Sequence, residues 1–159
     1  MAGCSGPAGP DRAAVVDGQV ISETALQTTQ AELNALEPNP FQQKLTPQDS
    51  LLFLVQAPTL IDSLTAKGVI VSESVAADFA QQRGVQEPGD GTIAVIRSLA
   101  ALSNAQGSGQ WTEQDQAAFT QQLAEQDVVV NPRYGTFEPT APAISLTTPD
   151  WVTPLDPAQ

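Results

Sequence analysis

The chain has 159 residues and a formal net charge of −12, with 41% apolar, 15% charged and 5% aromatic residues. That length suits one domain with a real core, and six isolated cations (Arg12, Lys44, Lys67, Arg83, Arg97, Arg133) exclude the clustered basic surface that nucleic acid or anionic lipid demands. With no histidine and one cysteine, histidine-dependent catalysis, an internal disulfide and a thiolate metal cluster fall away, and no apolar run reaches the ~18 to 20 residues of a membrane span.

The one cysteine, Cys4, is preceded by Met1-Ala2-Gly3 and followed by "SGPAGPDR". Ala2-Gly3-Cys4 resembles the last three positions of a bacterial lipoprotein lipobox. The hydrophobic segment expected before a lipobox is absent, and Met1 stands where a removed signal peptide would end. On this reading Cys4 carries acyl chains and anchors the protein to a membrane outside the cytoplasm, in the cell envelope. The plain alternative is a stray cysteine in an unstructured N-terminus. The Gly- and Pro-rich stretch behind it has no apolar periodicity and reads as a flexible tether. Residues 1–12 are therefore assigned to a lipobox remnant and tether.

The body is expected over residues 13–137. "AAVVDGQVI" (13–21) places apolar pairs on either side of Asp17-Gly18, a hairpin turn signal. Ser22 offers an N-cap for a helix through Leu36, with Leu26, Leu33 and Leu36 on one face and "EPNP" (37–40) as its stop. Thr46, Pro47 and Asp49 open the longest apolar stretch, which runs to Lys67. It is apolar on more than one face, so it is expected at the centre of the core or along a groove. Pro58 predicts a kink or break between 54 and 58. Gly68 ends the helix. A third helix, capped by Ser72 or Ser74, is expected to bury Val75, Ala76, Phe79 and Ala80. A fourth is expected to start at Thr92 after the loop "EPGDG", with Ile93, Ile96, Leu99 and Leu102 in a row. Thr112 and Asp115 cap a fifth, marked by Phe119 and Leu123. "VVVNPRYGTF" (128–137) reads as a strand that Asn131-Pro132 restricts to an edge or bulge. Residues 138–159 form a Pro/Thr-rich tail without periodicity, expected to wrap over the body or be disordered, with Trp151 as its large anchor. The fold class is mostly α: five helices, with a small two-stranded sheet joining the N- and C-terminal segments.

This order of elements resembles the N-terminal domain of the SurA/PrsA-type extracytoplasmic chaperones. "AVVDGQVISETALQ" is similar to the strand and helix that open that family, with Asp17 where Asn is usual. "LIDSLTAKGVIVSESVAADFA" is similar to the family's join between a long helix and the next, and "VNPRYGTF" to a closing strand. The resemblance spans about residues 14–137. It implies a chaperone module that binds unfolded or secreted polypeptides. The isomerase members insert a parvulin domain before the last helix, where this chain has only "SNAQGSGQW". The resemblance therefore implies no isomerase activity, no catalytic residues, no metal and no cofactor.

An apolar helical groove would hold client segments, and Phe41, Leu52, Phe53, Val55, Leu60 and Ile96 are its candidate lining. The competing reading of each is ordinary core. Acidic charge favours neutral or basic clients. The alternative function is a non-catalytic envelope scaffold or assembly lipoprotein that binds one specific partner. Ser63 and Lys67 are one turn apart on a helix and formally offer Ser/Lys catalysis, but such spacing is the ordinary property of a solvated face. Arg133 is expected to tie down the acidic body, and Tyr134 to pack on the first strand. Closure by two terminal strands also invites dimerisation by strand exchange.

Overall fold

The structure is a computed structural model that describes residues 11–146. Strands β1 (Arg12–Val16) and β2 (Gln19–Ser22) form a hairpin and lead into α1 (Glu23–Ala35), α2 (Pro47–Ala66), α3 (Glu73–Gln82), α4 (Asp90–Gly107) and α5 (Glu113–Glu125). The chain closes with β3 (Val128–Val130), β4 (Thr136–Glu138) and β5 (Ala143–Ser145). The mostly helical class is as the sequence indicates. The sheet is larger than expected: β1 pairs antiparallel with both β2 and β3, and β4 and β5 form a separate hairpin.

Local chemistry sets most boundaries. Asp17 and Gly18 both take positive φ, 48° and 81°, as the two-residue turn between right-twisted strands requires. Ser22 and Ser72 accept from the N–H groups of Ala25 and Val75 and cap α1 and α3. Thr46 with Asp49, and Thr112 with Asp115, form complete capping boxes on α2 and α5.

Four expectations are corrected. Pro58 does not break α2, which runs unbroken over 20 residues. Its ring is exposed, and buried Val55, Ala57 and Leu60 hold the helix on either side. Val75 is not buried but 57% exposed, because α3 turns Ala76 and Ala80 to the core. Thr92 is not the cap of α4. That helix begins at Asp90 behind Gly89, which has no side chain to cap with. The carboxylate of Glu32, on α1, does the work instead. Its Oε2 accepts from the Gly89 N–H at 2.9 Å and from the buried Thr92 hydroxyl at 2.5 Å. The stretch 128–137 is two strands, since Asn131 to Gly135 turn the chain between β3 and β4. Within the expected tail, β5 pairs with β4 and packs on α2. Cys4 and Trp151 lie outside the described residues.

The core has three connected parts. Leu33, Leu36, Ala76, Ala80, Val95 and Ile96 join α1, α3 and α4. Val55, Leu60, Leu64, Ala101, Phe119, Leu123 and Phe137 join α2, α4 and α5 to β4. Ala13, Ala14, Leu26, Leu51 and Tyr134 seat β1 on α1 and α2. At the α1–α4 contact Gly91 is obligatory in size, because a Cβ there would collide with Thr29 Oγ1. Tyr134 packs beside β1, and its hydroxyl donates to Glu23 Oε1 at 3.3 Å. Arg133 grips the same oxygen at 2.6 Å, tying the turn after β3 to the start of α1. Burial, then the Glu23 charge, pushes the Tyr134 phenol up, and the Glu23 contact raises the Arg133 guanidinium further.

Two predictions follow from these contacts. Glu32→Ala leaves the Thr92 hydroxyl and the Gly89 N–H without their acceptor and is expected to cost roughly 1 to 3 kcal/mol by urea denaturation. Glu32→Gln keeps an acceptor and is expected to recover most of that loss. The second concerns Asp115, whose carboxyl is lowered from 3.8 to about 2, first by the Lys67 ammonium and then by Thr112. A carboxyl held below its unfolded value stabilises above that value and ceases to as pH falls. Thermal stability is expected to decline between about pH 4 and pH 2. Asp115→Asn is expected to flatten that decline.

Candidate functional site

The stop of α1 leads into a loop that α1 itself holds in place. Asn34 accepts from the Leu45 N–H at 2.7 Å and returns a hydrogen bond to the Leu45 carbonyl at 3.0 Å. Gln30 donates to the same carbonyl at 3.0 Å. Within the loop the Phe41 N–H donates to Asn39 Oδ1 at 2.7 Å. These bonds fix Phe41 over the helices, with its ring centroid 5.7 Å from that of Phe53 on α2.

Across from this loop, Phe79 projects from α3. The Arg83 guanidinium lies 3.7 Å from the centre of its ring, a cation–π contact that holds the ring in place. The Arg83 carbonyl accepts from the Glu37 N–H and ties the end of α3 to the start of the loop. Between the two rings lies an apolar depression of about 350 Å³. Leu36, Ile96 and Leu99 line it with Phe41 and Phe79, and Ala100, Ser103 and Asn104 form part of its wall.

A second depression of about 210 Å³ continues on the other side of Leu99. Phe53, Leu60, Leu102, Trp111 and Phe119 line it. Trp111 and Phe119 meet edge to face at 6.2 Å, and the indole N–H donates to Gln116 at 3.2 Å. A wider hollow under residues 40–45 shares Phe41 and Phe53 with these two. The two depressions that meet at Leu99 form a trough along α4, and the wider hollow adjoins it at Phe41 and Phe53. Neither depression beside Leu99 has a charged lining residue. A concave apolar surface with a few neutral polar groups suits apolar side chains and offers nothing to bind an anion or a metal.

The candidate residues divide. Phe41 and Ile96 line the first depression, Phe53 and Leu60 the second, and Leu99 joins them. Val55 is core, at 1% exposure, and Leu60 and Ile96, each 6% exposed, are also buried core residues that floor the depressions. Leu52 packs on the cluster containing Leu64 and Phe137 and lines neither depression. Sequence reasoning missed Phe79, Leu99 and Trp111 as lining. Leu99 stood in the apolar row of its helix, but periodicity marks a face without saying whether a neighbour covers it.

Ser63 and Lys67 do not act together. The Ser63 hydroxyl donates to the Thr59 carbonyl and meets Gln122, while Lys67 pairs with Asp115 at 2.7 Å. Among the described residues no group of three His, Cys, Asp or Glu side chains converges to hold a metal ion, and no helix is long and apolar enough to cross a membrane. No protein family, curated protein or solved structure matches this chain.

Proposed function

We propose that this protein is a non-enzymatic, lipid-anchored chaperone-like module of the cell envelope, which holds apolar segments of unfolded or secreted polypeptides in the trough along α4. The supporting observation is the depression between Phe41 and Phe79: open, apolar, uncharged in its lining and continuous through Leu99 with a second one. A client side chain entering it exchanges water contact for aromatic and aliphatic contact, at roughly 25 cal/mol per Å² of apolar surface buried. The net charge of −12 keeps the module and its complex soluble and draws in neutral or basic clients rather than acidic ones. Cys4 supplies the anchor in this reading, and the resemblance to SurA/PrsA-type chaperones points the same way.

The test is aggregation of reduced, unfolded lysozyme, a secreted and basic protein, followed by light scattering. The described body is expected to suppress aggregation at stoichiometric amounts. Leu99→Asp places a charge where both depressions meet and is expected to abolish suppression, with the helical circular dichroism spectrum unchanged. Phe41→Ser, in the loop, is expected to weaken it. Unaltered suppression by both folded variants would overturn the trough as the holding site, and no suppression by the parent would overturn the chaperone reading.

The anchor has its own measurement. Expressed behind a complete lipoprotein leader, the chain is expected to partition into the detergent phase, and Cys4→Ser to stay in the aqueous phase. Equal partitioning of the two would remove the lipid from the proposal.

A further inference from the structure

A second surface lies away from the trough, at the edge of the three-stranded sheet. In the order β2-β1-β3, strand β3 has a neighbour on one side only. The register sets Val130 against Ala14, Val129 against Val15 and Val128 against Val16. Beyond the strand ends the Asp17 N–H donates to the Asp127 carbonyl and the Asn131 N–H to the Ala13 carbonyl, each at 2.9 Å. Antiparallel strands turn their backbone groups alternately to one side and the other. Residues 127, 129 and 131 therefore face β1, and Val128 and Val130 present their N–H and C=O groups outward. Among the described residues no hydrogen bond takes up those outward groups.

Natural edge strands are commonly blunted by short length, lysine, proline or a bulge. Strand β3 is short, at three residues, but Val128-Val129-Val130 contains no lysine, proline or bulge. Val129 is 42% exposed, and Val15 and the 50% exposed Val20 lie across from it in register. Beside the edge is an open hollow of about 520 Å³, lined by Val128, Val130, Pro132, Gly135 and Phe137 among others. The exposed charges at its Asp127 end are acidic, whereas exposed Arg12 adjoins the Asn131 end, where its carbonyl accepts from the Asn131 side chain. Asp127 adjoins the strand, Asp17 holds the Asp127 N–H at 2.8 Å, and Glu138 ends β4. Arg133, in the turn that follows, is committed to Glu23.

We propose that the β3 edge is a docking site for one extended polypeptide segment, alternately apolar and flanked by Lys or Arg, which adds to the sheet as a fourth strand. The outward groups of Val128 and Val130 set its register, its apolar side chains enter the hollow or cover Val129, and its cations meet Asp17, Asp127 and Glu138. Strand addition of this kind draws affinity from main-chain bonds and specificity from alternate side chains. Charge selects the occupant. A second copy of this chain brings another −12 to an acidic rim, whereas a basic segment neutralises it.

The experiment titrates the synthetic peptide Lys-Val-Thr-Val-Thr-Val-Lys into the isotope-labelled protein and follows amide shifts and hydrogen exchange. The amides of Val128 and Val130 are expected to shift and gain protection. N-methylation of one alternate set of peptide amides is expected to weaken binding at least about tenfold, and methylation of the other set to leave it unchanged, because a single edge uses only one set. Replacing both terminal Lys by Glu is expected to weaken binding to a similar degree. Val128→Pro removes one outward donor without touching the β1 ladder. It is expected to lose binding while keeping the parent's circular dichroism spectrum. No binding, binding indifferent to both methylated peptides, or shifts confined to Phe41, Phe79 and Leu99 would each overturn the proposal, the last by moving the peptide to the trough. A concentration-dependent dimer that protects Val128 and Val130 without peptide would overturn it in favour of a second copy.

Discussion

A helix that is apolar on more than one face must be covered on more than one side, and α2 imposes that condition on the whole chain. Leu51 is buried against Ala13, Leu26 and Tyr134, from β1, α1 and the turn after β3. Val55, Leu60 and Leu64 are buried with Ala101, Phe119, Leu123 and Phe137, from α4, α5 and β4. Each such side chain contributes roughly 1.5 to 3 kcal/mol when fully buried. No single partner helix could cover these faces. The chain must therefore bring its two ends together around α2, and the pairing of β1 with β3 is how it does so. The Arg133–Glu23 contact and the Asp17–Asp127 bonds fasten the same closure at its margins.

The trough follows from what this arrangement leaves uncovered. Helix α4 packs on α1, α2 and α3, so most of its surface is used. Around Leu99 and Ala100 the covering is incomplete. The loop after α1 reaches across only as far as Phe41, held by Asn34 and Gln30, and α3 reaches back only as far as Phe79. Two aromatic rings from different elements thus face each other over aliphatic ground, with Arg83 stacked on one of them. A trough built this way has rigid walls of secondary structure and one wall made by a loop.

What the sequence revealed is what short-range chemistry decides. Capping needs only the cap and the residues up to three positions on, so Ser22, Thr46 and Thr112 were legible, and Ser72 was one of two candidates beside Ser74. The Asp17-Gly18 turn was legible for the same reason, and so was the closure by terminal strands, since each carried its own apolar β-branched run. The start of α4 was not, because its cap is Glu32, 57 positions before Gly89. Strand β5 was not, because three residues between prolines and threonines carry no period. Within the site, Phe41, Phe53, Val55, Leu60 and Ile96 were all chosen for apolar character, yet Phe41 and Phe53 stand partly exposed in the trough, Leu60 and Ile96 are buried core residues that only floor it, and Val55 is core alone. The difference between them is a neighbour in space, which no local pattern encodes.

Charge distinguishes the two surfaces. Of 18 acidic and six basic side chains, Lys67, Arg97 and Arg133 are engaged in ion pairs with Asp115, Glu73 and Glu23. Pairing spends cations locally, so the field beyond the surface is set by the acidic excess. Salt limits that field to about 8 to 10 Å under physiological conditions. Within such a range the valine edge of β3 has Asp17 and Asp127 at one end, so in the proposed role an apolar segment carrying a cation gains there both by burial and by charge, and an acidic segment loses. The uncharged lining around Leu99 has the Arg83 guanidinium beside it on Phe79 and selects by shape and apolar area. In the proposed role, then, discrimination at the β3 edge rests on charge outside the contact, while the hold itself rests on shape and apolar area.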